Sequence, residues 1–292
     1  MSRSAAPVAS RLQILAAAIL FSTGGAAIKS VTLSSWQVAS FRSGVAALAL
    51  LILLPAARRC WNWRSAAVGL AYALTLILYA LANKLTTAAN TIFLQSTAPL
   101  YIVVLGPWLL KERIRRRDLI FLLVMATGLG LFFIEAGPSA ATAPEPLKGN
   151  LMAAAAGVSW ALAVVGLRWM SRSQRVDSGS AASAVVMGNL IAFAICLPKA
   201  LPLGASPALD WWLVLYLGVV QVGLAYIFLT AGLKGVPAFE ASLLLLLEPV
   251  LNPVWAWLVH GEIPAVSALA GGGVILAATT VRSWFESRSG PC

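Results

Sequence analysis

Residues 80–100 read ALANKLTTAANTIFLQSTAPL, and residues 230–250 read TAGLKGVPAFEASLLLLLEPV. At an offset of 150, Lys84 lies on Lys234, Pro99 on Pro249 and, further along, Glu112 on Glu262. In both copies an apolar-rich helix follows the proline and runs to the glutamate. A shorter offset of about 137 brings AAAILFSTGGAA (16–27) onto AAAAGVSWALAV (153–164), with Ser22 on Ser159. Hydrophobic composition alone does not align a lysine, a proline and a glutamate at one spacing. The chain is an internal duplication.

The duplicated unit belongs in a membrane. Of 292 residues 60% are hydrophobic and 11% charged, with a mean hydropathy of +0.86, whereas a soluble domain carries about a quarter charged residues. Apolar runs of about 20 residues recur along the whole chain, and the ten-residue alternation of an outer-membrane barrel is missing. Ten spans result, at roughly 12–30, 35–54, 66–83, 88–110, 118–135, 150–168, 180–198, 211–232, 239–259 and 265–283. The first follows Arg3 and Arg11 as a signal peptide would, but nine more spans follow and no cleavage site stands out. It reads as a retained helix.

The longest polar break, GPSAATAPEPLKG, occupies 137–149. It separates a first five-helix repeat (1–136) from a second (150–292), with 137–149 as linker. Five is odd, so the second repeat must enter the membrane from the opposite face. The expected fold is an all-α integral membrane protein of ten transmembrane helices in two inverted five-helix repeats. Secondary transporters use that duplication and bind substrate near the midplane between the halves.

Lysine and arginine set the orientation. With the N-terminus in the cytoplasm, sixteen of them fall in inside loops and tails, and only Lys29, Lys84, Lys148 and Lys199 fall outside. That asymmetry follows the positive-inside rule and places both termini in the cytoplasm. It also accounts for the net charge of +11 without nucleic acid: KERIRRRD (111–118) is a topology anchor in contact with anionic lipid. Three scattered cysteines, Cys60, Cys196 and Cys292, make no disulfide framework, and one histidine builds no zinc site. No metal or other cofactor is expected.

The motifs carry a resemblance as well. AYIFLTAGLKGVPAFEASLLLLLEPVLNPVWAWLVHGEI (225–263) and YALANKLTTAANTIFLQSTAPLYIVVLGPWLLKERI (79–114) resemble the paired signature regions of the drug/metabolite transporter superfamily, in its EamA family. SFRSGVAALAL (40–50) is similar to that family's start of helix 2, with the order Phe41-Arg42 here. The resemblance covers nearly all of 10–285. It implies ten helices, a bacterial inner (plasma) membrane location and export of small polar or aromatic metabolites. Length and the FSTGGAAIK opening (21–29) look most like the YddG-type aromatic amino-acid exporters. The alternatives are another metabolite or drug as cargo, or a channel-like facilitator.

Polar side chains in hydrocarbon are expensive and normally face a cavity or a partner, and helical spacing groups them here. Glu248, Asn252 and Trp255 share a face of helix 9, where the first half has Ala98, Ile102 and Leu105. Thr91, Gln95 and Ala98 share a face of helix 4, with Tyr101 nearby; Tyr72, Thr75 and Tyr79 stack on helix 3. Ser22, Ala26 and Lys29 do so on helix 1. Ser159 and Trp160 lie mid-span in helix 6, Asn189 in helix 7 and Gln221 in helix 8.

The expected substrate contacts are Tyr79, Gln95, Tyr101, Trp160, Gln221, Asn252 and Trp255. Aromatic rings would hold an apolar side chain, and Gln95, Gln221 and Asn252 the charged ends of an amino acid. Each polar residue can equally serve as interhelical glue, and Tyr72 and Tyr79 as core rings. Arg42 has no opposite charge nearby in sequence, so pairing within the protein and substrate contact both remain open. Trp61, Trp63, Trp108, Trp211, Trp212 and Trp284 fall at span ends, as an aromatic belt does.

Glu248, Lys29 and Arg42 are the candidate cavity or coupling charges. Glu248 is the natural proton carrier if export is proton-driven; its recurrence before a proline in the family points equally to a structural hydrogen bond. Pro99 and Pro249 lack a backbone donor and are expected to kink their helices, as gates or as static bends. No Walker A sequence is present, and no cluster of acids, histidines or activated nucleophiles is available for an enzyme. The expected partners are a small-molecule substrate and membrane lipid, with the chain a monomer or homodimer.

Overall fold

Short polar breaks cut the apolar sequence into helices at residues able to cap them. The computed structural model describes residues 8–59, 61–109, 116–134, 141–172, 180–233, 235–236, 241 and 244–288. α1 (Val8–Ser22) and α2 (Gly24–Ser30) make the first crossing, followed by α3 (Ser35–Leu53) and α4 (Trp63–Leu85). α5 (Ala88–Gln95) and α6 (Ala98–Leu109) share the fourth, and α7 (Arg116–Leu131) completes the first half. The second half comprises α8 (Pro146–Arg172) and α9 (Ser180–Ala200), then α10 (Ala208–Leu215), which a π-helical segment (Tyr216–Leu224) joins to α11 (Ala225–Gly232). α12 (Leu247–His260) and α13 (Val266–Arg288) end it. No strand occurs among the described residues.

Seven of these crossings are long and apolar enough to span a membrane, and Asp118–Leu131 and Val266–Arg282 are shorter apolar helices. With α12 they make the ten helices and two inverted repeats that the duplication predicts. Cys60, the run Lys111–Arg115 with Glu112, Glu135, Lys234, Glu240 and Cys292 lie outside the described residues.

Local chemistry places the helix starts. Ser34 accepts from the Gln37 amide while Gln37 reaches back to the Ser34 N–H, a reciprocal capping box. Asn62 and Thr87 cap α4 and α5 in the simpler one-way form. At the far end of α12, Gly261 takes a left-handed φ of 63°, which closes the helix without a Cβ penalty. α8 starts at Pro146, inside the stretch expected as linker, because a proline is at home in a helix's first turn.

The major helix contacts cross between the halves. α4 lies along α8 and α9, α3 along α9 and the π segment, α1 along α11 and α12, and α7 along α13. Glycine permits the closest of these. A Cβ on Gly188 would sit 2.8 Å from the Gly69 carbonyl, and one on Gly271 would sit 2.7 Å from the Gly128 carbonyl. Small residues of this kind bring membrane helices into backbone contact, which is how packing drives association where no hydrophobic effect operates. Trp61, Trp63, Trp211, Trp212 and Trp284 are all substantially exposed near helix ends, as a belt at the interface requires.

Gly188→Ala is therefore expected to destabilise the bundle by about 1–3 kcal/mol through overpacking. Gly273→Ala, at a position with nothing within 4 Å, is expected to leave it unchanged. The temperature at which detergent-solubilised protein loses its monodisperse chromatographic peak separates the two.

Candidate functional site

Among the described residues, three crossings are interrupted along their length. Helix 4 breaks at Ser96–Thr97 and helix 9 at Leu246, the same offset that relates the repeats. Pro99 and Pro249 follow within the first turn of α6 and α12, where a missing N–H breaks no hydrogen bond. The prolines thus begin new half-helices. The Ser96 and Thr97 hydroxyls donate to the carbonyls of Ile92 (2.7 Å) and Leu94 (2.5 Å). The third interruption, at Thr23 between α1 and α2, is held by Tyr216, whose hydroxyl lies 2.8 Å from Thr23 Oγ1.

Between these interruptions lies a cavity of about 320 Å³ with walls from both halves, at the lower end of the range for small-molecule sites. An aromatic arc crosses it. The Phe21 and Tyr226 rings meet edge-to-face at 5.5 Å, Tyr226 meets Tyr72 at 6.2 Å, and Tyr72 tilts toward Trp160 at 6.0 Å. Tyr79, Gln95, Gln221, Arg42 and Glu248 add polar groups to the same lining. Gln221 Nε2 donates to the Phe21 carbonyl at 3.2 Å, while its Oε1 and that of Gln95 are buried without a partner.

Of the residues expected to meet substrate, Tyr79, Gln95, Trp160 and Gln221 line this cavity, as do Pro99, Pro249, Arg42 and Glu248. Tyr101, Asn252, Trp255 and Lys29 do not. Tyr101 packs against the apolar core with Val103 and Phe121, since the break at Ser96–Thr97 separates it from the face of Gln95. Asn252 is fully buried and donates to the Tyr79 hydroxyl at 3.3 Å. The Trp255 indole donates to Ser22 Oγ at 2.9 Å. Gly24 and Gly25 let helix 1 approach these amides: a Cβ would lie 2.8 Å from Gln221 Nε2 and 2.7 Å from Asn252 Oδ1, respectively.

The cavity also gains residues that helical spacing did not select. Tyr226 lies five positions from Gln221, which an α-helix would turn away. The π segment between them adds about one residue to the turn and returns both to one face. Phe21 joins because the chain breaks two residues later. A break can be suspected from FSTGG; its direction cannot.

Asn252 and Trp255 form a layer beyond which the protein is closed by charge. Lys29 Nζ lies 3.1 Å from Glu262 Oε2, with both side chains at most 4% exposed. The lysine also donates to the carbonyls of Thr86 (2.8 Å) and Thr142 (2.5 Å). Glu262 Oε1 accepts from the Ala88 amide at 2.6 Å, so it caps α5 from across the bundle. Nearby, Asp210 accepts from the Thr32 amide and hydroxyl, and Lys84 donates to the Val31 carbonyl. All of this lies at the end away from the termini. The lining instead reaches toward the terminal end through Leu229, Leu245, Leu246 and Thr279.

Known proteins match this architecture. The EamA-like transporter family matches twice, over residues 10–134 and 147–284. The chain belongs to that family. It is 29% identical to "Uncharacterized transporter YetK" of Bacillus subtilis (strain 168) over 171 residues, 56% of this chain and 50% of that protein. An "Uncharacterized transporter" of Archaeoglobus fulgidus is 27% identical over 214 residues, 73% of each chain. The chain thus spans about half of the first relative and nearly three quarters of the second. A solved structure at 22% identity superposes with a TM-score of 0.63 over 99% of both chains, which supports the fold. The chain is a multi-pass membrane protein of the EamA-like transporter family.

Removing one member of a buried ion pair strands the other. Lys29→Met or Glu262→Met is expected to cost about 3–5 kcal/mol, while the joint change to Met and Met regains most of it. Thermal denaturation of the three variants, compared pairwise, measures the coupling.

Proposed function

We propose that the chain exports small metabolites across a bacterial inner membrane, with amino acids, aromatic ones favoured, as cargo. The observation that carries this reading is the aromatic-walled cavity shared by both repeats and capped at one end by the Lys29–Glu262 layer. A flat apolar side chain suits the arc of Phe21, Tyr226, Tyr72 and Trp160. The unpartnered oxygens of Gln95 and Gln221 suit hydrogen-bond donors on the substrate.

Alternating access follows from the same arrangement. With both termini in the cytoplasm, as the lysine and arginine distribution favours, the capped end is external and this state takes up cargo from inside. The two repeats, 1–136 and 150–292, would then rock about the broken helices, opening the external layer as the cytoplasmic side closes. A channel would need no such cap. Glu248 is the carboxylate available for coupling to a proton gradient: it lines the cavity and makes no hydrogen bond or ion pair among the described residues. Membrane lipid surrounds a unit that works as a monomer or homodimer.

Counterflow into proteoliposomes tests the reading. Labelled L-phenylalanine is expected to accumulate transiently when the lumen holds an excess of unlabelled aromatic amino acid, and less when it holds aliphatic ones. Glu248→Gln is expected to weaken counterflow but leave it measurable, and to lose pH-driven accumulation. Linear, non-saturating entry without counterflow would mean a channel, and pH-driven accumulation surviving in Glu248→Gln would remove that residue from coupling.

A further inference from the structure

The cavity contains a cation that the fold leaves almost unused. Arg42, in the middle of α3, is 2% exposed and lines the cavity wall. Its only hydrogen bond among the described residues runs from Nη2 to the Leu76 carbonyl at 3.4 Å, beyond the usual range of about 2.7–3.2 Å. Its Nε is buried with no partner. Among the described residues no carboxylate lies within ion-pair distance of it; the ion pairs there join Lys29 to Glu262, Lys148 to Glu145 and Arg282 to Asp118. A guanidinium carries five donors and keeps its proton under all ordinary conditions. Neutralising itself is therefore not a route by which it escapes the cost of burial.

What surrounds Arg42 narrows its ligand. Tyr72 and Tyr79 stand within electrostatic range of both Arg42 and Glu248. Both charges thus share one cavity with the tyrosine pair, and no ion pair joins them among the described residues. Arg42 comes from the first repeat and Glu248 from the second. A simple anion would gain from the arginine and lose to the glutamate. A molecule with a carboxylate at one end of a short backbone and an ammonium at the other fits both.

From this geometry we infer that Arg42 is the carboxylate-binding residue of the transport site, with Glu248 as the opposing pole that selects a zwitterion. The inference deepens the amino-acid reading and rests on it for the identity of the cargo, but assigns the charged ends differently. The amides of Gln95 and Gln221 orient the ligand; the two ionised groups read it. Arginine is suited to the task because its planar fork matches both oxygens of a carboxylate.

The test compares L-phenylalanine, phenethylamine (no carboxylate) and 3-phenylpropionate (no ammonium) in two assays. One is competition against labelled phenylalanine in counterflow; the other is ligand-induced thermal stabilisation of purified protein. In the wild type, phenylalanine is expected to compete about ten- to a hundredfold better than phenethylamine, the factor for one hydrogen bond to a charged group. Arg42→Met is expected to bring that ratio near one, and Arg42→Lys to restore part of it. 3-Phenylpropionate is expected to stabilise the wild type weakly and Arg42→Met not at all. A monodisperse chromatographic peak confirms that each variant is folded.

If Arg42→Met or Arg42→Lys folds and keeps the wild-type preference for the carboxylate, the inference is overturned. It is overturned equally if no carboxylate ligand competes with or stabilises the wild type. If carboxylates stabilise through Arg42 but no amino acid is exchanged, the assignment of Arg42 stands and the amino-acid reading of the cargo fails.

Discussion

A single carboxylate, Glu262, fastens the closed end of the molecule. It pairs with Lys29 of α2 at 3.1 Å and accepts the first free amide of α5 at 2.6 Å, so three crossings meet at one side chain. A helix N-terminus presents free N–H groups and the positive end of the helix dipole. A carboxylate placed there is stabilised twice, by the lysine and by the helix. Desolvating both charges is costly, and an ion pair alone often fails to offset it. Here Thr86 and Thr142 satisfy further lysine donors, which makes the closure specific to this arrangement. Separating α2 from α12 would expose every one of these groups at once, and water waiting outside would solvate them. A junction that is stable when dry and also tolerable when wet can open and close.

The interruptions in the helices follow a different economy. Breaking an α-helix inside a membrane frees carbonyls that nothing in hydrocarbon can satisfy. Helix 4 meets this with Ser96 and Thr97, whose hydroxyls turn back onto Ile92 and Leu94. Gly157 of α8 then packs against the break, since a Cβ there would lie 3.0 Å from the Leu94 carbonyl. Helix 1 meets the problem across the bundle, with Tyr216, Gln221 and Trp255 all binding within residues 21–23. Its break is thus held by helices 8 and 9, which ties the first helix of one repeat to the other half.

Much of this was legible in the sequence. The offset of Pro99 and Pro249 predicted repeat-related irregularities, and hydrophobic runs with lysine and proline breaks predicted the helices. The site was legible where a polar residue stands on an unbroken helix, as Tyr79 and Trp160 do. It was not legible where backbone geometry departs from 3.6 residues per turn. Tyr226 enters the cavity only through the π segment, and Tyr101 leaves it because the helix restarts at Ala98. Asn252 and Trp255 share a face with Glu248, but hydrogen-bond partners on helices 3 and 1 draw them into the layer beyond the cavity. Lys29 read as a cavity charge because its partner, Glu262, is more than two hundred residues away.

Duplication explains the frame, and divergence explains the site. Two identical inverted repeats would place like residues around the axis between them: two arginines or two glutamates facing one another. Like charges at close range in a medium of low dielectric repel strongly, and neither pair would suit a zwitterion. This chain keeps Arg42 in the second helix of its first half, while α9, the corresponding helix of the second, has no charged residue before Lys199. It keeps Glu248 in the second half, where the first has Ala98. Each half therefore supplies one pole, and both line the cavity that holds the tyrosines. The elements that had to stay alike, the broken helices and their prolines, are those on which the two halves would pivot under the proposed alternating access. The elements that had to differ are those that a dipolar ligand would touch.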